Sequence, residues 1–317
     1  MPRTKRHAVN KYLDPTVVSH LGNMELKARL IVEGYIAGLH RSPYHGFSVE
    51  FAEYRQYMQG DNTRHIDWKV YGKTDRFYMK VFEEETNLRA TVILDKSGSM
   101  GFASDPSEEG KGSGPAGPGE GIDKLTYGGL LAASLSYLMI RQQDAVGLCL
   151  FDEKLRTLTA HRSVRKHLFY LLNSLENVEP GEKTRISPTL HSIAERVKRR
   201  GLVILISDLM DRPEDVLMGL KHFRHRGHEV IVFHLLDPRE IDLDYRDEVE
   251  FQDMETDRKL RVEPAFLKEE YSRNVRGWID TLNRGCKLHQ IDYNLLSTHT
   301  PFDQALTAYL NKRVRLT

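Results

Sequence analysis

Two short segments place carboxylates and hydroxyls directly after apolar runs. In ATVILDKSGSM, residues 90–100, the apolar run ends at Asp95, and Ser97 and Ser99 follow at alternate positions. In LVILISD, a second apolar run is followed by Asp208. Oxygen ligands without His or Cys suit hard divalent cations such as Mg²⁺. The two segments therefore predict an all-oxygen metal site, provided that the ends of the two apolar runs meet.

A third hydroxyl ligand is expected from the segment before SPTLHSIAERV. Thr184, in GEKTRIS, is the first candidate and Thr189 is the second. Mg²⁺ prefers octahedral oxygen ligands and retains waters, so it is the expected ion, with Mn²⁺ and Ca²⁺ as alternatives. Asp95 and Asp208 supply only two formal negative charges. The ion would therefore stay electrophilic, with one coordination position open to a carboxylate from outside.

Each of these features also has a structural explanation. Asp and Ser are common in turns, Asp208 could cap the helix that follows Pro213, and Thr184 could be an ordinary turn residue. The placement of both aspartates at the ends of buried strands favours the metal site. Ligands bind outside the carboxyl ends of the strands in doubly wound sheets.

Short apolar runs alternate with amphipathic segments from about residue 88 onward. Continuously apolar strands separated by helices indicate a parallel sheet that is buried on both faces. The sequence thus predicts an α/β domain over 89–317, with a doubly wound, mostly parallel sheet of Rossmann type. Within it, the Gly/Ser/Pro-rich residues 101–121 predict a mobile loop, and alternation over 243–263 predicts a small β-hairpin insertion.

The N-terminal part of the chain has a different pattern. Residues 1–22 start with a basic stretch and are predicted to be a flexible tail. Residues 23–88 are predicted to form an N-terminal helix, from Asn23 to about Gly38, and then a β-rich segment. In that segment, two strands with a turn-rich connector fit the alternation best.

Composition excludes several classes of protein. The chain has 317 residues, with 46 Lys and Arg against 45 Asp and Glu, and this balance argues against a dedicated nucleic-acid binder. Its two cysteines, Cys149 and Cys286, cannot build a disulfide framework or a cysteine zinc cluster. No apolar run approaches the roughly 20 residues that span a bilayer, and no signal peptide is evident. We therefore expect no membrane span and a cytoplasmic location.

The predicted ligand set resembles the metal-ion-dependent adhesion site of von Willebrand factor A domains. That site has the pattern Asp-x-Ser-x-Ser, then a distant Thr and a distant Asp. The resemblance implies a von Willebrand factor A-like fold and a ligand set at the following positions: Asp95, Ser97, Ser99, Thr184 and Asp208.

A second resemblance covers nearly the whole chain. The stretch from GLHRSPYHGFSVEF to DRFYMKVFEEET, leading into LDKSGSM, resembles the signature of the family labelled "domain of unknown function 58". The similarity extends to DAVGLCLF, GLVILISDLMD, METDRKLRVEP and STHTPFDQALTAYL. The resemblance implies a bacterial protein that works with a MoxR-type AAA+ ATPase.

These features predict a protein-binding adaptor rather than an enzyme. An Asp or Glu of a protein partner is expected to take the open position on Mg²⁺. The resemblance to the family implies that this adaptor acts in protein assembly or maturation. The phosphate-loop and nucleophile-elbow patterns are both incomplete in this sequence, and no general base is evident near the predicted ligands. The alternative is a metal-dependent hydrolase that acts on phosphoesters.

Overall fold

The computed structural model describes most of the chain after residue 87. The described residues are 15, 18, 22–39, 54–56, 71–72, 75, 78–80, 88–104, 122–181, 186–245, 248–252 and 259–316. They divide into two compact units, one made of residues 1–36 and 88–317 and the other of residues 37–87. The contacts thus group most of the first helix with the larger unit, whereas the sequence prediction assigned it to the N-terminal segment.

The smaller unit contains a short antiparallel strand pair, as the alternation predicted. Strand β1 (Tyr54–Gln56) pairs with β2 (Tyr78–Lys80). The turn-rich connector predicted between these strands lies largely outside the described residues.

The larger unit alternates strands with helices. Its described elements are α1 (Met24–Leu39, grouped here as far as residue 36), β3 (Arg89–Asp95), a 3₁₀ helix (Gly98–Gly101), α2 (Lys124–Arg141), β4 (Ala145–Phe151), β5 (Leu155–Leu158), α3 (Arg165–Glu176), α4 (Ile186–Arg196), β6 (Leu202–Ser207), α5 (Pro213–His225), β7 (Glu229–Leu236), α6 (Pro238–Asp242), β8 (Val249–Gln252), β9 (Lys259–Val262), α7 (Pro264–Leu288), β10 (Asp292–Ser297) and α8 (Phe302–Val314).

A mixed, mostly parallel sheet of six strands forms the centre of the larger unit. Its order is β10–β7–β6–β3–β4–β5, and β5 alone is antiparallel to its neighbour. In chain order, the first strand of the sheet, β3, lies in its interior. Strands β4 and β5 follow on one side of β3, and β6, β7 and β10 follow on the other. The direction of progression reverses between β3 and β6, and this reversal is the topological switch point of a doubly wound sheet. The predicted α/β class and mostly parallel sheet are confirmed.

The central strands are buried because helices cover both faces of the sheet. Every residue of β6 is buried, as are all residues of β3 and β4 except the first of each. On one face, α4 and α5 pack on the sheet through Leu190, Val216 and Leu220. On the other face, α2 lies so close that a Cβ added at Gly128 would be 3.0 Å from Leu94 Cδ1.

The remaining features of the larger unit differ in how far the sequence predicted them. Strands β8 and β9 form an antiparallel pair within the range of the predicted hairpin, and the residues that join them lie outside the described ones. Strand β5 and helix α6 were not predicted. The structure describes only residues 101–104 of the loop that was predicted over 101–121. The first of these residues, Gly101, still belongs to the 3₁₀ helix. None of the helices in the described part of the chain is long and apolar enough to cross a membrane.

Candidate functional site

The fold brings Asp95 and Asp208 together at the switch point. Asp95 is the last residue of β3, and Asp208 directly follows β6. The two strands are parallel neighbours, paired as far as Leu94 and Ile206. Both aspartates are completely buried. They therefore lie side by side at the carboxyl ends of the strands, where the sequence predicted them and where ligands bind in this class of fold.

The Asp95 carboxylate accepts hydrogen bonds from neutral donors. Its Oδ1 accepts from the backbone N–H of Ser97 at 2.9 Å, and its Oδ2 accepts from the hydroxyl of Ser207 at 2.6 Å. Among the described residues, no Lys or Arg forms an ion pair with Asp95. Burial and then the nearby charge of Asp208 raise the pKa of Asp95 to about 7. Above about pH 7 the Asp95 carboxylate is therefore charged without a cationic partner among the described residues, and a cation bound at this edge of the sheet would stabilise that charged form.

Ser97 and Ser99 present their hydroxyls to the same point, as their alternate spacing predicted. Their Oγ atoms are 3.1 Å apart, and Ser97 is completely buried. The 3₁₀ helix that begins at Gly98 turns the chain so that both hydroxyls lie on one side. Adjacent ligands of an octahedral Mg²⁺ with bonds of 2.0–2.1 Å are about 3 Å apart. The separation of the two hydroxyls therefore fits two neighbouring positions on such an ion.

A lysine that the sequence analysis did not identify neutralises part of the charge of Asp208. Lys124 Nζ donates to Asp208 Oδ2 at 2.8 Å and to Glu240 Oε1 at 2.6 Å. Burial alone would lower the pKa of Lys124, but the two carboxylates hold it above its ordinary value. One signal was available in the sequence. Lys124 is the first residue of α2, where a cation opposes the helix dipole, so it needs a specific acidic partner.

The backbone after β6 is fixed in an uncommon conformation. Leu209 has a φ of 53° and is completely buried. The imidazole of His234, on β7, bonds the carbonyl oxygen of the preceding residue, Asp208, at 2.8 Å through Nε2, while its Nδ1 bonds the hydroxyl of Tyr293. Burial lowers the pKa of His234 to about 4, so the ring is neutral at neutral pH. A lone histidine in the apolar run EVIVFHLL was the sequence signal for this support.

The capping explanation of Asp208 is wrong. Arg212 occupies the N-cap position of α5 and makes no side-chain capping bond, whereas Asp208 Oδ1 accepts from the backbone N–H of Met210 at 3.3 Å. Its other oxygen is bound by Lys124, so this carboxylate belongs to the rim cluster rather than to the helix end.

The hydroxyl ligand from the next loop stays a prediction. Thr184 lies outside the described residues, but the described residues on either side of its segment bond to the loops that follow β3 and β6. The backbone N–H of Gly181 donates to the Lys96 carbonyl at 2.5 Å, and that of Ile186 donates to Asp211 Oδ2 at 3.3 Å. The second candidate, Thr189, is buried in α4, and its hydroxyl donates to the Glu153 carbonyl at 3.0 Å. That bond makes Thr189 the weaker candidate.

The donor set determines which ions could bind at the rim. Within the described ranges, no three His, Cys, Asp or Glu side chains are grouped so that they could hold a metal ion. The predicted set is different in kind, because it combines two carboxylates with hydroxyl groups. Such oxygens suit Mg²⁺, Mn²⁺ or Ca²⁺ and disfavour Zn²⁺, which takes N and S ligands. Asp95, Ser97 and Ser99 are the described residues whose oxygens could hold such an ion, with Asp208 next to them.

Comparison with known proteins decides the family. The family model described as "Protein of unknown function DUF58" matches residues 53–277. The chain belongs to this family. An uncharacterised protein of Mycobacterium tuberculosis is 24% identical over 281 residues, which cover 86% of this chain and 83% of the relative. An uncharacterised protein of Mycobacterium bovis is similar to the same extent, with 24% identity over 281 residues.

Solved structures also show similarity to this DUF58 chain. A conserved hypothetical protein, BatB of Bacteroides thetaiotaomicron, has a TM-score of 0.44 and 17% identity, and the match covers 72% of this chain and 99% of that one. An aerotolerance-related membrane protein from Bacteroides fragilis has a TM-score of 0.42 and 17% identity, with coverage of 71% and 99%. The cytoplasmic location expected from the sequence stays a prediction.

Proposed function

We propose that this chain is a protein-binding adaptor that holds Mg²⁺ at the rim of its sheet and docks an acidic residue of a partner. The observation that carries the proposal is the environment of Asp95. This carboxylate is completely buried at the switch point, its oxygens accept from Ser97 and Ser207, and it lies next to Asp208. A buried carboxylate without a cationic partner is costly, and a bound divalent ion would remove that cost.

The residues at the rim have distinct roles in this proposal. Ser97 and Ser99 offer two neutral oxygens at the spacing of neighbouring ligands, and Asp95 supplies the main negative charge. Asp208 already shares its charge with Lys124, so it contributes less. When bound, Mg²⁺ would supply an electrophilic position for the carboxylate of an Asp or Glu on the partner. No proton transfer is needed for such docking, and the hydroxyls serve as ligands rather than as nucleophiles.

The finer identity of the fold and partner belongs to the same proposal. The strand order and the Asp-x-Ser-x-Ser loop at the switch point support a von Willebrand factor A-like domain with a metal-ion-dependent adhesion site. The resemblance of the sequence to its family suggests a MoxR-type AAA+ ATPase as co-worker in protein assembly or maturation. We infer that the chain presents a client protein to that ATPase.

Calorimetric titration with Mg²⁺ tests the metal site directly. We expect the wild-type protein to bind about one Mg²⁺, and the double variant Ser97→Ala/Ser99→Ala to lose most of that affinity. Ser174→Ala is the matched control, because it removes an exposed hydroxyl on α3 that bonds the carbonyl of Tyr170. Equal Mg²⁺ binding by all three proteins would contradict the proposed ligand set.

Affinity capture with an authentic partner tests the docking step. The purified MoxR-type ATPase of the same bacterium, or a client that it acts on, is passed over immobilised wild-type protein and Asp95→Ala in Mg²⁺ and in EDTA. The proposal expects retention only by the wild type in Mg²⁺. Equal retention in all four conditions would count against metal-dependent docking. Phosphoester turnover that requires Mg²⁺ or Mn²⁺ and vanishes in Asp95→Ala would favour the hydrolase alternative.

A further inference from the structure

The buried ion pair of Lys124 needs an explanation beyond stability. Its side chain is completely buried between Asp208 and Glu240, at distances of 2.8 and 2.6 Å. Desolvation of such groups costs about as much as their attraction returns, so buried ion pairs add little stability. Lys124 also opposes the dipole of the helix that it starts. A role in the binding properties of the rim would account for its position.

Glu240 is held firmly in its place by its own neighbours. Its Oε2 accepts from the backbone N–H of Asp237 at 2.8 Å in a capping box at the start of α6. Its backbone carbonyl accepts from the hydroxyl of Tyr271, on α7, at 2.9 Å. The Glu240 carboxylate therefore cannot move toward Asp208 or away from Lys124 without breaking the capping box at the start of α6. It acts as a fixed competitor for the Lys124 ammonium.

The charges of these three side chains combine in a simple way. The single positive charge of Lys124 is divided between two carboxylates. The more of the Lys124 charge that is compensated by Glu240, the less of it compensates Asp208. More negative charge on Asp208 is then left to attract a cation at the rim. In an environment as buried as this one, charges interact appreciably over several ångströms, because there is little water between them to screen the interaction. Both residues can thus act on a bound ion without touching it.

We propose that Lys124 and Glu240 set the affinity of the rim for divalent cations, with opposite signs and through Asp208. Lys124 weakens binding because its positive charge compensates Asp208, and Glu240 strengthens binding because its negative charge compensates Lys124 in turn. The inference rests on the proposed Mg²⁺ site and makes both residues positioning and charge-tuning groups. Neither is a ligand of the ion.

Mg²⁺ titration of three variants at one fixed pH tests this inference. Lys124→Met, which keeps most of the length of the side chain, is expected to bind Mg²⁺ about tenfold or more tightly than wild type. Glu240→Gln, which keeps the size and the capping-box geometry, is expected to bind about tenfold more weakly. The double variant Lys124→Met/Glu240→Gln should bind more tightly than Glu240→Gln, because the positive charge next to Asp208 is gone. It also leaves no unpaired Glu240, so it provides the test if Lys124→Met alone does not fold.

A second lysine in the same chain provides a matched control. Lys312, on α8, also bridges two carboxylates, Glu229 at 2.7 Å and Asp292 at 2.9 Å. Glu229 and Asp292 are the first residues of β7 and β10, so this cluster lies at the opposite end of the sheet from the rim. Lys312→Met and Glu229→Gln are expected to leave the affinity for Mg²⁺ unchanged.

The outcomes separate this inference from the proposed function. Opposite shifts for Lys124→Met and Glu240→Gln support it, because simple damage to the fold would weaken binding in both. If the wild type binds Mg²⁺ and both variants bind it with the same affinity, or if both variants shift the affinity in the same direction, the inference is wrong. The proposed metal site is unaffected by that result. An absence of Mg²⁺ binding in the wild type overturns the proposed function, and the inference with it.

Discussion

Replacement of Asp95 by Asn is expected to stabilise the metal-free protein at pH 8, although it removes a residue of the candidate site. The Asp95 carboxylate is completely buried and accepts from two neutral donors. Burial, with the adjacent charge of Asp208, raises its pKa from 3.8 to about 7. Above pH 7 the folded protein must therefore carry a poorly compensated charge. Asn has nearly the same size and carries none.

The sign and the size follow from the two pKa values of Asp95. The unfolded chain loses this proton near pH 4, whereas the folded protein keeps it until about pH 7. Between these limits the unfolded state binds fewer protons, so the free energy of unfolding falls as the pH rises. At about 1.4 kcal/mol per pKa unit, the loss reaches an upper limit of about 4 kcal/mol above pH 7. Asp95→Asn does not suffer this loss.

Urea unfolding in EDTA between pH 4.5 and pH 8.5 measures the effect. The difference in stability between Asp95→Asn and wild type should be small at the acidic end and should grow up to about pH 7. Asp280→Asn, at an exposed position on α7, is the control and should follow the wild type. With Mg²⁺ in place of EDTA, wild type should regain stability above pH 7, and Asp95→Asn should not. A difference that stays constant with pH would refute the described environment of Asp95.

Two further predictions concern the elements that position the site. Gly128→Ala is expected to destabilise the fold by about 1–3 kcal/mol in urea unfolding, because the new Cβ would lie 3.0 Å from Leu94 Cδ1. The control is Gly129→Ala, whose Cβ meets nothing within 4 Å and which should be neutral or slightly stabilising. Gly181→Ala should weaken Mg²⁺ binding in calorimetry, because its Cβ would lie 2.5 Å from Asp152 Oδ2 and 3.1 Å from the Lys96 carbonyl oxygen, and the segment must shift to relieve both contacts. An unchanged affinity would exclude a positioning role for this segment.

The central strands could be predicted because the apolar pattern that marks each of them lies within its own residues. Strands β3, β4, β6 and β7 are buried on both faces, so each appears in the sequence as a nearly continuous apolar run. Strand β5 has no such signal. It is an edge strand with the sequence LRTL, and none of its residues is fully buried. Its pairing with β4 depends on the partner strand rather than on its own pattern.

The candidate site could be predicted only in part, for a related reason. Asp95 and Asp208 follow strands directly, and a general rule places strand ends at the ligand-binding edge of the sheet. Lys124 forms an ion pair with a residue 84 positions away in sequence, and only the strand order brings the two together. The Ser207 hydroxyl is a similar case, since it lies 112 positions from Asp95 in the sequence.

The position of Lys124 shows why the rim is not simply an acidic cluster. Asp95, Asp208 and Glu240 bring three carboxylates into a buried region, and a single ammonium serves two of them. If the rim had evolved for stability alone, an apolar replacement of the whole group would serve as well. An ion pair that satisfies Asp208 and Glu240 but leaves Asp95 with neutral donors keeps one charge available. That remaining charge, at the switch point and next to two hydroxyls, is what a divalent cation requires.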